Sequence, residues 1–170
     1  MQFKPKTDEE IQAEGLWPEG KYGFEIIDQV SFGDNILETK DTVSKSGNDM
    51  IQIVVRVYND NGQQTHVIDY LLEAFSKKLK GAAYACGLGS QYESGQLEAR
   101  DFIGKQGNLY LGIQKGRPKD DGSGNYPDRN TVTEYARDEQ TVTNDAGMQV
   151  SKNHSSVQEK QELVDDDIPF

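Results

Sequence analysis

Met50-Ile51-Gln52-Ile53-Val54-Val55-Arg56-Val57-Tyr58-Asn59 is the stretch on which the reading of this chain turns. Ile51, Ile53, Val55 and Val57 recur at every second position, with Gln52, Val54, Arg56 and Tyr58 between them. Residues two apart share one face of a strand, and β-branched side chains suit a pleated, half-buried surface. One face of this strand therefore meets a core. Asp60-Asn61-Gly62 follows at once. Asn-Gly tolerates the positive φ that a tight hairpin requires, which makes Gln63 to Tyr70 the antiparallel return strand.

Upstream, Ser44-Lys45-Ser46-Gly47-Asn48 is a cluster of turn formers, and Gly20 to Phe32 alternates again, with Tyr22, Phe24 and Ile26 on one face. Downstream, Leu72, Phe75, Leu79, Ala82, Ala83 and Cys86 fall at helical spacing as one apolar stripe, and Gly87 is placed to stop the helix. Cys86 belongs to that stripe and is expected in the core rather than as a reactive thiol. Phe102-Ile103-Gly104-Lys105 leads into Asn108 to Gln114, where Leu109, Leu111 and Ile113 alternate with Tyr110. A basic hairpin loop from Lys115 to Arg129 then precedes a last strand from Asn130 to Arg137. The expectation over 20–137 is a mainly β domain: a five-stranded OB-fold-like barrel with one α-helix between strands 3 and 4.

Charge divides the chain differently. The 170 residues carry 18 Lys+Arg against 29 Asp+Glu, a formal net charge of −11. The acidic N-terminal segment 1–19 holds −3 and residues 138–170 hold −6, leaving −2 for 20–137. This balance excludes a polybasic membrane peptide or a histone-like protein. Counting Gly and leaving out Tyr, apolar residues make up roughly 39 % of the chain, below the ~45–50 % of a compact domain. The shortfall lies in 138–163, where Val142, Met148, Val150 and Val157 stand isolated among polar residues. Such a segment cannot bury enough to offset an ordering entropy of about 1–2 kcal/mol per residue, so a disordered acidic C-terminal tail is expected. Apolar residues return only at the end, in Leu163-Val164 and Ile168-Pro169-Phe170.

Neither a membrane span nor a signal peptide is expected, for want of a long apolar run or a basic-then-apolar start. The single cysteine points to a reducing, cytosolic setting. Two histidines and one cysteine do not make a structural zinc site. No phosphate-binding Gly-x-x-x-x-Gly-Lys-Ser/Thr occurs, and Gly87-x-Gly89 lacks the third glycine of a dinucleotide loop. His66 has no His or Cys nearby and reads as a packing residue, while Asp120-Asp121 beside Gly122-Ser123-Gly124 reads as a solvated loop tip. No enzyme, cofactor or metal is expected.

Asp165-Asp166-Asp167-Ile168-Pro169-Phe170 resembles the acidic tip of bacterial single-stranded DNA-binding proteins, which close on the same DDDIPF run. Gly20-Lys21-Tyr22, Ser46-Gly47-Asn48-Asp49-Met50-Ile51, Ala85-Cys86-Gly87, and Gly104-Lys105 leading to Tyr126 and Asn130 are similar to phage-encoded OB-fold single-stranded DNA-binding proteins. The resemblance implies a bacteriophage protein that coats single-stranded DNA, without strong sequence preference, during replication, recombination or repair in the host cytoplasm. It further implies a C-terminal tip that docks into basic pockets of host replication and repair proteins.

The residues offer matching chemistry. Sequence-tolerant binding of single strands needs aromatic faces for the bases and cations for the phosphates. Candidates are Lys45 in the first turn, Arg56 and Tyr58 on the outward face of the second strand, and Tyr110 opposite Leu109 and Leu111. The basic loop adds Lys115, Arg117, Lys119, Tyr126 and Arg129. At the tip, Phe170 joins a ring to the chain's own α-carboxylate, a pair that Arg or Lys can clamp. Asp165 to Asp167 add steering toward a basic rim, and Pro169 keeps the end extended. The alternative is an acidic DNA mimic or adaptor that binds a host replication or repair protein without DNA; confinement of the acid to the chain ends disfavours it. No membrane partner is expected, and oligomerisation is left open.

Overall fold

Eight strands form among residues 1–7 and 15–137, the part that the structure, a computed structural model, describes. They are β1 (Gly20–Ile27), β2 (Gln29–Phe32), β3 (Asn35–Glu38), β4 (Lys40–Val43), β5 (Asp49–Tyr58), β6 (Gln64–Leu72), β7 (Gln106–Gln114) and β8 (Arg129–Ala136). Between β6 and β7 come a 3-10 turn (Glu73–Phe75) and three helices, α1 (Ser76–Ala85), α2 (Gly89–Glu93) and α3 (Ala99–Phe102).

The fold is mainly β and its main sheet antiparallel. β5 is the spine. β6 pairs with it from Met50↔Leu72 to Tyr58↔Gln64, and so occupies one edge along nearly its whole length. β4 and β1 share the other edge, β4 on Asp49 to Gln52 and β1 on Val54 to Tyr58. β7 pairs with β1, and β8 with β7, where the register shifts at Tyr110/Leu111. Ile53, Val55 and Val57 of β5 are fully buried, as expected, but so is Val54 on its other face, so burial alternates only in part. The turn after it is as read, with Gly62 at φ +75° and Asn59 Oδ1 accepting from the Asn61 and Gln63 amides. Ser44 to Asn48 is likewise a turn, closed by Ser44 N donating to Asn48 O at 2.8 Å.

One face of the sheet packs on the helices. Phe24, Ile26, Leu109, Leu111 and Val132 meet Ala82, Ala83, Cys86 and Phe102 in a single cluster. Burying a side chain the size of Phe102 stabilises by about 1.5–3 kcal/mol. Cys86 is buried here, as its stripe predicts, and burial pushes its thiol up to about 12. Close approach of α1 to the sheet depends on small residues. A Cβ at Gly107 would sit 3.0 Å from both the Ala85 carbonyl and the Phe24 ring.

Four expectations need correction. The sheet is not closed into a barrel: it has six strands, and its end strands β6 and β8 are not joined by a ladder. α1 packs against both, and they approach each other without pairing. Side chains span the gap instead, with Lys78 Nζ and Tyr135 OH both donating to the Asp69 carboxylate at 2.6 Å.

The expected helix ends at Gly87, at φ +72°, as α1, but it is not the single one: α2 and α3 follow where only a polar link was expected, separated by Gly95 at φ +72°. The first turn of the expected helix is not helical either: Leu72 ends β6, and Glu73–Phe75 is the 3-10 turn. α3 starts afresh from a capping box in which Glu98 N donates to Asp101 Oδ2 at 2.9 Å.

The expected first strand, Gly20 to Phe32, splits at Asp28. Its second half pairs with β3 as a separate two-stranded arm. Thr39 pins the base of that arm: its amide donates to Asp28 O, its hydroxyl donates to Ile27 O, and it accepts from Val54 N. β4 was not expected at all. It is a four-residue edge strand, too short and polar to show a period.

Candidate nucleic-acid interface

The open seam between β6 and β8 is a groove of about 1350 Å³. Its walls are the Thr65 to Tyr70 run of β6 and the Arg129 to Tyr135 run of β8; Phe75, Lys77 and Lys78 close one end, with Arg137 beyond β8. Alternation along β6 places His66, Ile68 and Tyr70 on one face and Val67, Asp69 and Leu71 on the buried one. Asp69 is the buried acid of the seam, and it is neutralised by Lys78. Tyr135 is fully enclosed; desolvation first, then the Asp69 charge and hydrogen bond, hold its phenol well above the ordinary 10.0. That phenol is a structural donor.

Tyr70 stands where the two walls approach. Burial raises its phenol above the ordinary range, and the positive field of Arg129, reaching from β8, opposes that rise. Arg129 is itself oriented by Gln114 Oε1, which accepts from its Nε at 3.1 Å and its Nη2 at 2.8 Å. Tyr70 and Arg129 thus line one groove, close enough for the guanidinium charge to act on the phenol; a ring and a cation are the groups on which a base can stack and a phosphate can pair.

The basic loop rises from the same end, since Pro127 and Asp128 belong to the groove wall. It is ordered by its own backbone: Tyr126 N donates to Arg117 O, Lys119 N donates to Gly124 O, and Pro118 bridges Asn125. Arg117 and Lys119 both lie over the exposed Tyr126 ring, 5.6 and 5.8 Å from its centroid. Lys115 is engaged otherwise. It pairs with Asp128 at 2.9 Å, and the Gly116 amide and Lys115 together hold that carboxyl below its usual range. Asp121, read as part of a solvated tip, is exposed and accepts from the Ser123 hydroxyl and amide.

The nominated residues do not form one site. Arg129 alone among them lines the groove, and Arg117, Lys119 and Tyr126 form a cluster on the loop above it. Arg56 and Tyr58 lie on the outer face of β5, both held by Glu25, with Tyr58 OH donating to Oε2 at 3.1 Å and Arg56 Nη1 at 3.7 Å from it. Tyr110 is exposed on β7, opposite Lys21 of β1 and Glu134 of β8. Lys45 is exposed in the β4–β5 turn, away from the groove lining. Asp165, Asp166, Asp167, Ile168, Pro169 and Phe170 lie outside the described residues.

The groove lining also holds Tyr70, Lys77 and Arg137, which sequence reasoning did not nominate, and His66, which it read as a surface or packing residue. His66 and Tyr70 were legible as the outward half of the return strand, where they alternate with Val67 and Asp69. Compared with known protein families, with curated proteins and with solved structures, the chain matches none.

Proposed function

We propose that this chain is an OB-fold-like single-stranded DNA-binding protein of bacteriophage type, and that the strand runs along the β6–β8 groove. The groove carries the reading. Its volume of about 1350 Å³ exceeds the ~300–1,000 Å³ that encloses a small molecule. Tyr70 and Arg129 both line it within electrostatic reach of each other, and Tyr126 with Arg117 and Lys119 stands on the loop that joins its wall at Pro127. Strand order supports the fold assignment. β1, β5, β6, β7 and β8 take the sequence places of the five OB strands, with helix between the third and fourth. OB domains receive oligonucleotides on strands 2 and 3 and between the loops that join strands 1–2 and 4–5. Here those are β5 and β6, the β2–β3 arm, and the basic loop.

The test is fluorescence anisotropy of labelled oligo(dT) and of a duplex of the same length, titrated with the full chain across a salt series. Tighter binding of the single strand, weakening with salt, is expected, because bases can stack on the protein only when unpaired. Equal affinity for the two overturns the proposal. Host replication and repair proteins are the proposed partners of Asp165 to Phe170. Deleting Phe170 alone should abolish their recruitment while leaving oligo(dT) binding intact.

A further inference from the structure

We propose that Phe32, Arg56 and His66 form a nucleotide subsite outside the groove proper, Phe32 stacking on one base of the single strand and the Arg56–His66 pair receiving its phosphate. This rests on the single-strand reading above.

Phe32 sits at the tip of the β2–β3 arm, beside the Gly33 turn, and is 47 % exposed. The arm is a sheet of its own, tied to the body at its base through Asp28, Glu38 and Thr39. Its tip reaches β6, where the Phe32 ring stands edge-on to His66, 6.0 Å between centroids and 86° between planes. His66 is also part of the groove wall, four residues along β6 from Tyr70. Strand rise separates the two by roughly 13 Å on one face. A chain following β6 past Tyr70 thus arrives at His66 and the exposed phenyl face.

Two nitrogens there lack a partner. Arg56 and His66 are directly opposite each other in the β5–β6 register. Arg56 Nε and His66 Nε2 are both shielded from solvent and make no hydrogen bond. Arg Nε–H can only donate, and His Nε2 donates in one neutral tautomer and in the cation. A buried donor left unsatisfied demands an explanation, and two in cross-strand register define a place for one shared acceptor. Glu25 does not fill it, since it reaches Arg56 through Nη1 at 3.7 Å. A phosphate oxygen fits, as an acceptor whose charge the guanidinium balances. Burial and the Arg56 charge lower the His66 pKa in the free protein. An anion held between the two nitrogens must raise it. Both nitrogens are shielded from solvent, so the arm tip must move aside when the phosphate enters.

The experiment compares the full-length parent with Phe32→Ala, Phe32→Tyr and Arg56→Gln by oligo(dT) anisotropy over a salt series, and follows His66 by imidazole NMR with and without oligo(dT). Loss of one stacked base should weaken Phe32→Ala by about five- to a hundredfold with the salt slope unchanged, and Phe32→Tyr should restore binding. Arg56→Gln should flatten the slope by about 0.7. The His66 pKa should rise on adding oligo(dT). If the parent binds oligo(dT) but Phe32→Ala binds equally well and the His66 pKa stays unmoved, the subsite is wrong and the groove reading stands. If the parent does not bind at all, the single-strand reading falls and the subsite with it. If Phe32→Ala keeps its affinity but converts a dimer to a monomer in sedimentation, the arm is a contact between copies and the proposal is overturned.

Discussion

Asp69 accepts from Lys78 Nζ and from Tyr135 OH, both at 2.6 Å, so one buried carboxylate on β6 ties α1 and β8 to the same point. Removing one member of a buried ion pair leaves the other charge uncompensated, at about 3–5 kcal/mol. Lys78 keeps a quarter of its side chain in water, so Asp69→Ala should cost near the lower end, about 3 kcal/mol. Tyr135→Phe removes a donor and leaves the Lys78 pair intact, at about 1 kcal/mol. Urea unfolding of both variants checks the order, and a Tyr135→Phe loss equal to that of Asp69→Ala would contradict it. A second expectation concerns alkaline pH. Burial pushes the Cys86 thiol up to about 12 and the Tyr135 phenol well above 10.0. Both groups ionise at lower pH in the unfolded chain, which therefore sheds protons first as pH rises. Stability should be full below about pH 8.5 and fall from there toward 12, since the state that binds more protons loses ground. Urea midpoints measured from pH 7 to 10.5 should fall less steeply for Cys86→Ala than for the parent.

The β7–β8 loop is an element in its own right, and a glycine decides its path. A Cβ at Gly116 would fall on the Tyr126 carbonyl, which is backbone and cannot move aside alone. Gly116→Ala should force the loop open, displace Tyr126 from Arg117 and Lys119, and lower oligo(dT) affinity severalfold. Faster proteolytic nicking between 115 and 129, with the melting temperature little changed, would mark the effect as local. The three loop cations should also differ from one another. Replacing Arg117 and Lys119 with Gln should reduce the salt slope by about 0.7 each. Lys115→Gln should change it less, because Asp128 already neutralises that charge. Alternating apolar residues made β1, β5 and β7 legible, because a two-residue period survives wherever one strand face is buried, and the Asn61-Gly62 turn made β6 legible as the return strand. β3 and β4 gave no such signal, and the alternation read through to Phe32 did not show the break at Asp28. Gln29–Phe32 and Lys40–Val43 are four residues each and mostly exposed, so nothing in their composition records which neighbour they pair with.

Across the whole molecule the acid is concentrated at the chain ends, −6 of it in residues 138–170. Acid tethered by sequence to the domain is expected to compete with phosphate for the groove's cations. Deleting 138–170 should raise oligo(dT) affinity at low salt, and the gain should vanish as the Debye length shrinks toward ~8 Å at physiological ionic strength. A gain independent of salt would point to something other than charge. The strand faces, the two glycine-marked turns, the place of Cys86 in the core and the uneven charge were all readable from the chain, because each depends on residues close in sequence. The groove was not. It exists because β6 and β8, 66 residues apart at the Asp69–Tyr135 contact, end up at the two ends of one sheet with α1 packed against both. Which aromatic faces which cation across that gap is a property of register and of the helix between the strands. Tyr70 therefore looked like a strand end and Arg129 like a loop cation until the fold brought both into the lining of one groove.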